Sequence, residues 1–352
     1  MGEQVCLHEK VAVQAYRDEL RSAWDSYVDN HPSGSPFHLI GWKRAIERTY
    51  GFDSRYLLVE ERGEVSGILP LFLVSNPILG RALISTPFAV YGGICASNRE
   101  AWRALREAAC RMAQEEKVQY LELRERQAFS DPEFHTKRLY VTFGQKLPRT
   151  VDALLRGFPR DTRYMIRKGQ KNGLSTVVDN AQLDIFYEIY AHSVHALGTP
   201  VFAKKFLKSV VDEFTEYCEI AVIWHKNKAV AGVLSLRFRD CILPYYGGSL
   251  KEGRGVAANN FMYWEIMKRA IELGLRYFDF GRSKLGSGSH AFKAQWNMQE
   301  VPLPYQVHLV RQKVMPNHSP ANPRFKPVIE IWKHMPFSLT KVIGPTLARL
   351  FP

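Results

Sequence analysis

The sequence has few of the features that mark secreted or zinc-binding proteins. Its five cysteines are scattered among 352 residues and never stand in a CxxC spacing; they are Cys6, Cys95, Cys110, Cys218 and Cys241. Because zinc sites and disulfide frameworks use closely spaced or paired cysteines, this distribution argues against both and suits a reducing compartment. The first residues, MGEQVCLHEK, contain no apolar run of the kind found in signal peptides. We therefore expect a cytoplasmic protein.

No apolar run reaches membrane-spanning length either. The nearest candidate, residues 65–74, is short and contains Pro70. Hydrophobic residues make up 46% of the chain and charged residues 24%, which is typical of a globular protein, and the length allows two domains. The net charge is +13, from 48 Lys+Arg against 35 Asp+Glu. Such an excess favours an anionic partner, whether nucleic acid, an acidic bilayer surface or a phosphate-bearing small molecule.

One α/β pattern occurs twice in the chain. The second copy consists of Tyr246-Gly247-Gly248, a predicted helix over Val256–Leu273 capped by Gly274, and a short strand over Tyr277–Phe280. The first copy consists of Tyr91-Gly92-Gly93, a predicted helix over Arg99–Gln114 and a strand over Tyr120–Arg124. The offsets are nearly constant (246 − 91 = 155 and 277 − 120 = 157). A spacing this long indicates duplicated domains rather than a solenoid.

The duplication sets the predicted domain organisation. We place one domain at residues 1–145, a second at 146–315, and a Pro-rich link with an amphipathic tail at 316–352. Residues 10–30 have the pattern of an amphipathic helix, and a strand near Tyr305–Val310 would complete the second sheet. The organising stretch of the second domain is its YGG strand, helix and following strand.

The strand of the second copy ends in a cluster of polar side chains. Asp279, Arg282, Ser283 and Lys284 follow one another at its C-terminal end, where ligand crevices open in α/β sheets. The loop GRSKLGSGSH, residues 281–290, combines glycines, hydroxyls and two cations, and its N–H groups could bind an anion. A mobile surface loop is the alternative. The apolar residues soon after it favour a loop that folds back onto the core.

A basic stripe precedes this region. Five cations spaced 4, 3, 4 and 4 residues apart share one predicted helix face, with Lys168 beside them; they are Arg156, Arg160, Arg163, Arg167 and Lys171. Only Asp161 offsets their charge locally. Because like charges at this spacing repel, the stripe favours a phosphate-rich partner, although a solvated surface helix is the common alternative.

Four weaker patterns leave other functions open. Residues 253–258, GRGVAA, satisfy G-x-G-x-x-A and suggest an NAD-type oxidoreductase, but Lys251-Glu252 and the YGG turn separate the strand from the glycines. His192 and His195 could share a metal, but without a partner cluster we expect no metal site. His38 and Trp42 could line a groove or pack in the core.

In the tail, residues 328–352 mix apolar residues with cations, which suits docking on the protein or lying in a membrane interface.

Four segments carry a resemblance to a known family: FHLIGWKRAIERTYG, RDTRYMIRKGQKNGL, YYGGS and FDFGRSKLGSGSHAFKAQW. Over roughly residues 30–310 the chain resembles the Fem-like aminoacyl/acyl transferases, and more narrowly the FemAB-related proteins of exosortase/PEP-CTERM exopolysaccharide systems. The resemblance implies an α/β fold of two tandem GNAT-like domains with mixed sheets flanked by helices. It also implies transfer of an acyl or aminoacyl group to an amine of a cell-envelope or exopolysaccharide precursor, with no tightly bound cofactor or metal.

The donor implied by the resemblance is acyl-CoA or an aminoacyl-tRNA. The sequence departs from the acyl-CoA loop Q/R-x-x-G-x-G/A, since Leu250 or Glu252 stands where Gln or Arg is required. The acceptor would be phosphorylated or lipid-linked, and tRNA and the inner membrane, the latter through residues 328–352, are further candidate partners. A non-catalytic scaffold is the remaining alternative.

The chemistry of acyl transfer suggests roles for the clustered residues. A base must deprotonate the attacking amine, and cations or N–H groups must stabilise the oxyanion. We predict Asp279 as the base, Lys284 or Lys293 as the electrostatic stabiliser and Tyr246 as a proton donor to the leaving group. The predicted substrate-binding residues are Arg282, Ser283, His290, Trp296, Trp42 and the cations Arg160, Arg163, Arg167, Lys168 and Lys171.

Overall fold

The computed structural model describes residues 12–76, 80–316 and 326–352. The chain divides into two compact units. The first contains Met1–Lys43, Phe52–Lys137 and Tyr305–Met315, and the second contains Arg44–Gly51, Arg138–Pro304 and Pro316–Pro352. This division differs from the predicted boundaries because residues 305–315 return to the first unit and the tail belongs to the second. Most of the predicted Pro-rich link, and Cys6, lie outside the described residues.

The first half of the chain contributes nine strands and three helices among the described residues. In chain order they are β1 (Val13–Ala15), α1 (Arg21–Asn30), α2 (Ile40–Tyr50), β2 (Asp53–Ser54), β3 (Leu57–Glu61), β4 (Glu64–Leu69), β5 (Phe72–Asn76), β6 (Gly80–Ile84), β7 (Cys95–Ala96), α3 (Arg99–Glu115), β8 (Tyr120–Leu123) and β9 (Phe134–Lys146).

The second half contributes the remaining elements. They are α4 (Val151–Gly157), α5 (Arg160–Lys171), β10 (Leu174–Val178), α6 (Leu183–Ala196), α7 (Lys204–Glu213), β11 (Cys218–His225), β12 (Lys228–Phe238), β13 (Cys241–Ser249), α8 (Lys251–Gly255), α9 (Ala258–Glu272), β14 (Tyr277–Asp279), β15 (Ser283–Lys284), α10 (Gly288–Ala294), β16 (Gln299–Leu309), α11 (Lys326–His334) and α12 (Phe337–Ala348).

The first unit is built on two sets of strands and the helix α3. One sheet has the order β1-β3-β4-β7, and a second run has the order β2-β5-β6-β8-β16, in which β6 and β8 are parallel. Helix α3 buries Ala101, Leu105 and Ala109, which are four residues apart and therefore share one face. Its cap is Asn98, whose side chain accepts the N–H of Ala101 at 2.8 Å.

One prediction for this unit was wrong, and the structure adds a strand partner to another. Residues 10–30 are not one helix, because Val13–Ala15 pair with β3 and α1 begins only at Arg21. The strand predicted near Tyr305–Val310 does form as part of β16, and its residues 306–309 pair with β8 of the first unit, a partner that was not predicted. Local patterns fix neither outcome, since strand partners are chosen by tertiary packing.

The second unit has a single mixed sheet in the order β10-β11-β12-β13-β14-β9. Its neighbours are antiparallel except β13 and β14, which are parallel and are joined through α8 and α9. The helix predicted over Val256–Leu273 forms as α9, which begins at Ala258 because Ala257, with φ +64°, separates it from α8. Gly274 has φ +76°, as expected for the residue that ends a helix.

Tail helices α11 and α12 pack against α6 of the same unit. His195 Nε2 donates to the carbonyl of Trp332 at 3.1 Å, and the ring of His192 stacks on Phe337 with 3.5 Å between centroids. Lys341 forms an ion pair with Glu188. The two histidines that could have shared a metal therefore hold the tail in place. Among the described residues no helix is both long and apolar enough to cross a membrane.

Candidate active site

The parallel strands β13 and β14 are paired over a short distance only. Their register joins Cys241 to Tyr277 and Ile242 to Phe278, whereas β13 continues to Ser249 and β14 ends at Asp279. The strands therefore separate towards their C-terminal ends. At this point Gly281 has φ +69°, and a Cβ on it would stand 3.5 Å from the ring of Tyr245. Glycine is favoured here because other residues rarely adopt this conformation.

Asp279 lies at the point of separation and is held by two donors. The hydroxyl of Thr142, on β9, and the N–H of Gly281, at 2.8 Å, both donate to its Oδ1 atom. The side chain is 5% exposed. These contacts fix the orientation of the carboxylate, which a general base requires.

Lys293 fastens the loop that follows β14. Its Nζ atom donates to the carbonyls of Phe280 at 2.8 Å, Gly281 at 2.9 Å and Arg282 at 3.3 Å. Because an ammonium has three N–H donors, these bonds use all of them, and no donor is left for a substrate oxyanion. Burial lowers the pKa of Lys293 to about 8, and the charge of Asp279 opposes that shift. Lys293 is therefore placed to position the loop, and its predicted direct contact with the reacting atoms is not supported.

The loop itself is ordered by two short elements. Strand β15 pairs with β9, which brings Ser283 beside Val141 and Lys284 beside Tyr140. Arg282 is half-buried and its guanidinium lies 4.7 Å from the centroid of the Tyr140 ring. The side chain of Ser287 accepts the N–H of His290 at 3.2 Å and so begins α10. Arg282 and Lys284 thus stay together at the end of β14, as predicted from their spacing.

Four other predicted site residues are placed differently. Trp42 and Trp296 are 0% and 1% exposed and pack in the cores of the first and second units, so neither ring is accessible to a ligand. His290 Nε2 lies 3.0 Å from the carboxylate of Glu300. Tyr246 is packed among aromatic rings, and burial raises its pKa well above the ordinary value, which makes it a poor proton donor. Its cluster contains Tyr190, Phe202, Phe206 and Tyr245.

Sequence reasoning missed three residues of this site. Tyr245 is half-buried and lies beside Gly281, so it is better placed than Tyr246 to give a proton to a leaving group. Nothing in the sequence of two adjacent tyrosines indicates which one faces the core. Thr142 and Tyr140 come from β9, far from β14 in the sequence, and meet the site through strand pairing alone.

The predicted basic stripe is divided between two helices. Arg156 belongs to α4, because Pro159 precedes α5 and a new helix starts there. Arg160, Arg167 and Lys171 are exposed on α5, and none of its basic residues forms an ion pair within the described ranges 12–76, 80–316 and 326–352. Tyr164 is 65% exposed on the same helix. The helix therefore presents cations and one aromatic ring to solvent.

In the part of the chain that the structure describes, the dinucleotide fingerprint is not formed and one candidate group of metal ligands is present. Gly253 and Gly255 lie inside α8 and not in a turn that leads directly from a strand, so the geometry of the NAD-binding motif is missing. One group of potential metal ligands lies within 4.8 Å of one another, namely Cys110, Glu133 and His308. Arg106 stands 3.6 Å from Glu133 and disfavours a cation there.

Comparisons with known proteins bear on the fold that carries this site. Residues 156–294 match the family model described as an acetyltransferase (GNAT) domain, a segment that contains α5, β13, α9, β14 and Lys293. No curated protein matches the chain.

Several solved structures share the fold. The structure of FemX has a TM-score of 0.65 at 17% identity, covering 85% of this chain and 98% of FemX. The C-terminal domain of a putative lysylphosphatidylglycerol synthetase from Agrobacterium fabrum has a TM-score of 0.54 at 13% identity, with 84% and 92% covered. A tandem GNAT protein from the clavulanic acid biosynthesis pathway has a TM-score of 0.52 at 13% identity, with 87% and 99% covered. Residues 156–294 are thus similar to a GNAT acetyltransferase domain, and the chain has an α/β fold of two tandem GNAT-like domains.

Proposed function

We propose that this chain is an N-acyltransferase whose donor binds where β13 and β14 separate. The observation that carries the proposal is the parallel pairing confined to two residue pairs, with Asp279 held beside the opening. Separated parallel strands expose backbone N–H and C=O groups that a donor's linear chain can bond. The long helix α9 begins next to this region at Ala257, which makes no side-chain cap, so its N-terminal N–H groups suit the phosphates of a donor.

The reaction transfers an acyl or aminoacyl group to a primary amine. Asp279 accepts a proton from the ammonium, directly or through water, and the amine then attacks the donor carbonyl. As the C–N bond forms, the bond to the sulfur or oxygen of the leaving group breaks, and that atom takes a proton. Tyr245 is placed to supply this proton, while Arg282 and Lys284 stabilise the developing negative charge.

The donor is acyl-CoA or an aminoacyl-tRNA, and the acceptor is an amine of a phosphorylated or lipid-linked precursor of the cell envelope or an exopolysaccharide. A GNAT domain favours acyl-CoA. The names FemX and lysylphosphatidylglycerol synthetase favour a Fem-like reaction and a lipid-linked acceptor. An association with exosortase/PEP-CTERM systems is part of the same proposal, as is a cytoplasmic location.

The proposal is tested by titrating the purified full chain with acetyl-CoA, an aminoacyl-tRNA and NAD, followed by transfer assays with amines. We expect binding of acetyl-CoA or the aminoacyl-tRNA, and release of CoA or tRNA when an amine is added. Binding of NAD alone would favour an oxidoreductase. Binding of none of the three would favour a non-catalytic scaffold.

The basic face of α5 gives a separate prediction about phosphate-rich ligands. Changing Arg160, Arg167 and Lys171 together to Gln should weaken tRNA binding and reduce its salt dependence, since each phosphate contact contributes about one unit to the salt slope. Thermal stability should not change, because these side chains form no ion pair among the described residues. The matched control changes the exposed cations Lys205, Lys226 and Lys228 to Gln. If both triple variants weaken tRNA binding equally, the binding depends on the net charge of the chain and not on a site on α5.

The tail gives a prediction about peripheral contact with the inner membrane. Val328, Ile331 and Val342 are 59%, 63% and 74% exposed on α11 and α12. Lys333, Lys341 and Arg349 supply positive charge nearby. We expect the chain to co-sediment with vesicles that contain anionic lipid and not with neutral ones, and Val342→Asp to weaken that binding. Equal recovery with neutral vesicles, or no effect of the substitution, would remove the membrane from the proposal.

A further inference from the structure

A pocket of about 240 Å³ lies within the first unit, on residues that the proposed acyl transfer does not use. It stands beyond the C-terminal end of β8. Its lining includes His31, His38, Trp102, Glu125, Arg126 and Phe129. Its distinguishing feature is the buried carboxylate of Glu125, for which the described residues provide no ion-pair partner.

Glu125 is 7% exposed and accepts one hydrogen bond, from the N–H of Ile94 at 3.0 Å. In the part of the chain that the structure describes, no Lys, Arg or His forms an ion pair with it. Burial raises its pKa to about 7, and the bond from Ile94 only partly opposes that shift. Keeping a carboxylate out of water without a cation is costly, and such groups cluster at functional sites.

The two arginines beside Glu125 in the sequence are committed elsewhere. Neither arginine forms an ion pair with Glu125, although Arg126 also lines the pocket. Arg124 donates to Glu122 and to the carbonyls of Thr86 and Ala89. Arg126 stacks on Tyr91, with its guanidinium carbon 3.7 Å from the ring centroid.

The two histidines of the pocket supply no positive charge either. Each ring is bonded to one carbonyl acceptor and one donor, an arrangement that suits the neutral form. Burial lowers the pKa of His38 to about 3. The bonds join His38 to Gly93 O (3.0 Å) and Ser35 Oγ (2.7 Å), and His31 to Ala96 O (3.1 Å) and the N–H of Ser33 (3.2 Å).

The backbone and two aromatic rings complete the pocket. A Cβ on Gly93 would lie 2.3 Å from the Glu125 carboxylate, so only glycine allows the chain to approach this closely. Trp102 and Phe129 meet edge to face, with centroids 4.7 Å apart. A carboxylate combined with aromatic surface is the arrangement that recognises organic cations.

We propose that this pocket binds a small organic ammonium ion, whose N–H groups donate to the Glu125 carboxylate and whose carbon body lies against Trp102 and Phe129. The ligand supplies a positive charge next to Glu125, with which no described residue forms an ion pair. The site is independent of the proposed acyl transfer, because its test is binding and not turnover.

The test titrates the full chain at about pH 8 with propylammonium, with its neutral N-acetyl derivative and with propionate, by ligand-detected NMR. We expect the ammonium to bind, the other two not to bind, and Glu125→Gln to weaken ammonium binding at least about tenfold, since a charged hydrogen bond is lost. The matched control is Glu115→Gln, an exposed carboxylate of the same unit. Binding of propionate, or equal ammonium binding by both variants, would overturn the proposal.

A second measurement needs no variant. The charged and titratable groups around Glu125 are His31, His38, Cys95 and Arg126. Because Glu125 titrates at about pH 7 in the free protein, ammonium affinity should rise about tenfold between about pH 6 and about pH 8 as the carboxylate ionises. An affinity that is constant over this range would contradict a role for Glu125.

Discussion

Asp279→Asn should lower kcat by about 10²–10⁴-fold, because a general base contributes an acceleration of that order. Asparagine has the same shape and keeps an oxygen that can accept the bonds from Thr142 and Gly281, so the fold and the loop after β14 should persist. Donor affinity should change little, since the carboxylate is assigned to the amine. The measurement is kcat and KM with the acyl donor and acceptor identified by the binding experiments.

The control for this prediction is Asp240→Asn, an exposed carboxylate of the same unit. It should leave kcat and stability unchanged. Full turnover by Asp279→Asn would remove Asp279 from the mechanism. A loss of stability together with activity would instead assign Asp279 a structural role, as the residue that joins β9 to the loop after β14.

Lys293→Met should lower both stability and activity. The change removes three hydrogen bonds and leaves the buried carbonyls of Phe280, Gly281 and Arg282 without their donor, at a cost of about 2–4 kcal/mol. Because Arg282 and Lys284 are carried by this loop, we also expect kcat to fall by at least about 100-fold, as displaced catalytic groups lose their alignment. Chemical denaturation and steady-state kinetics measure the two effects.

Lys284→Met is the comparison that separates positioning from direct electrostatic action. Lys284 is half-buried, and its main chain pairs with Tyr140 of β9, a pairing that a change to Met retains. It should lower kcat while leaving the free energy of unfolding within about 0.5 kcal/mol of the parent. If instead Lys293→Met is fully stable and only kcat falls, the ammonium of Lys293 acts on the reacting atoms and our assignment is wrong.

The repeated α/β pattern could be predicted from the sequence because each of its helices and strands is set by residues that are close together in the chain. Helix α3 was expected over Arg99–Gln114 and occupies Arg99–Glu115, and the short strands β8 and β14 lie within the predicted strands Tyr120–Arg124 and Tyr277–Phe280. The cluster at Asp279 and Arg282 also followed from one strand end. Each of these features depends on residues close together in the chain.

The parts that were missed depend on residues far apart in the chain. The pairing of β16 with β8, and the contact of Thr142 with Asp279, are decided by which strands pack together. Solvent exposure is equally non-local: Trp296 and Lys293 looked like ligand contacts from composition, but the surrounding core buries both. Glu125 carried no signal, because a carboxylate between two arginines predicts a surface ion pair and not an isolated buried acid.

The return of residues 305–315 to the first unit bears on how the polypeptide acquires its structure during synthesis. The ribosome completes Arg138–Pro304 of the second unit before it delivers the strand that pairs with β8. Until then, strand β8 of the first unit lacks its pairing with β16. Contacts between residues this far apart in the sequence slow folding. We therefore expect truncation from the carboxyl end to shorten the second unit at first, and to destabilise the first unit as soon as β16 is removed. Because the segments of the two units alternate along the chain, dividing the chain at one position yields neither unit complete.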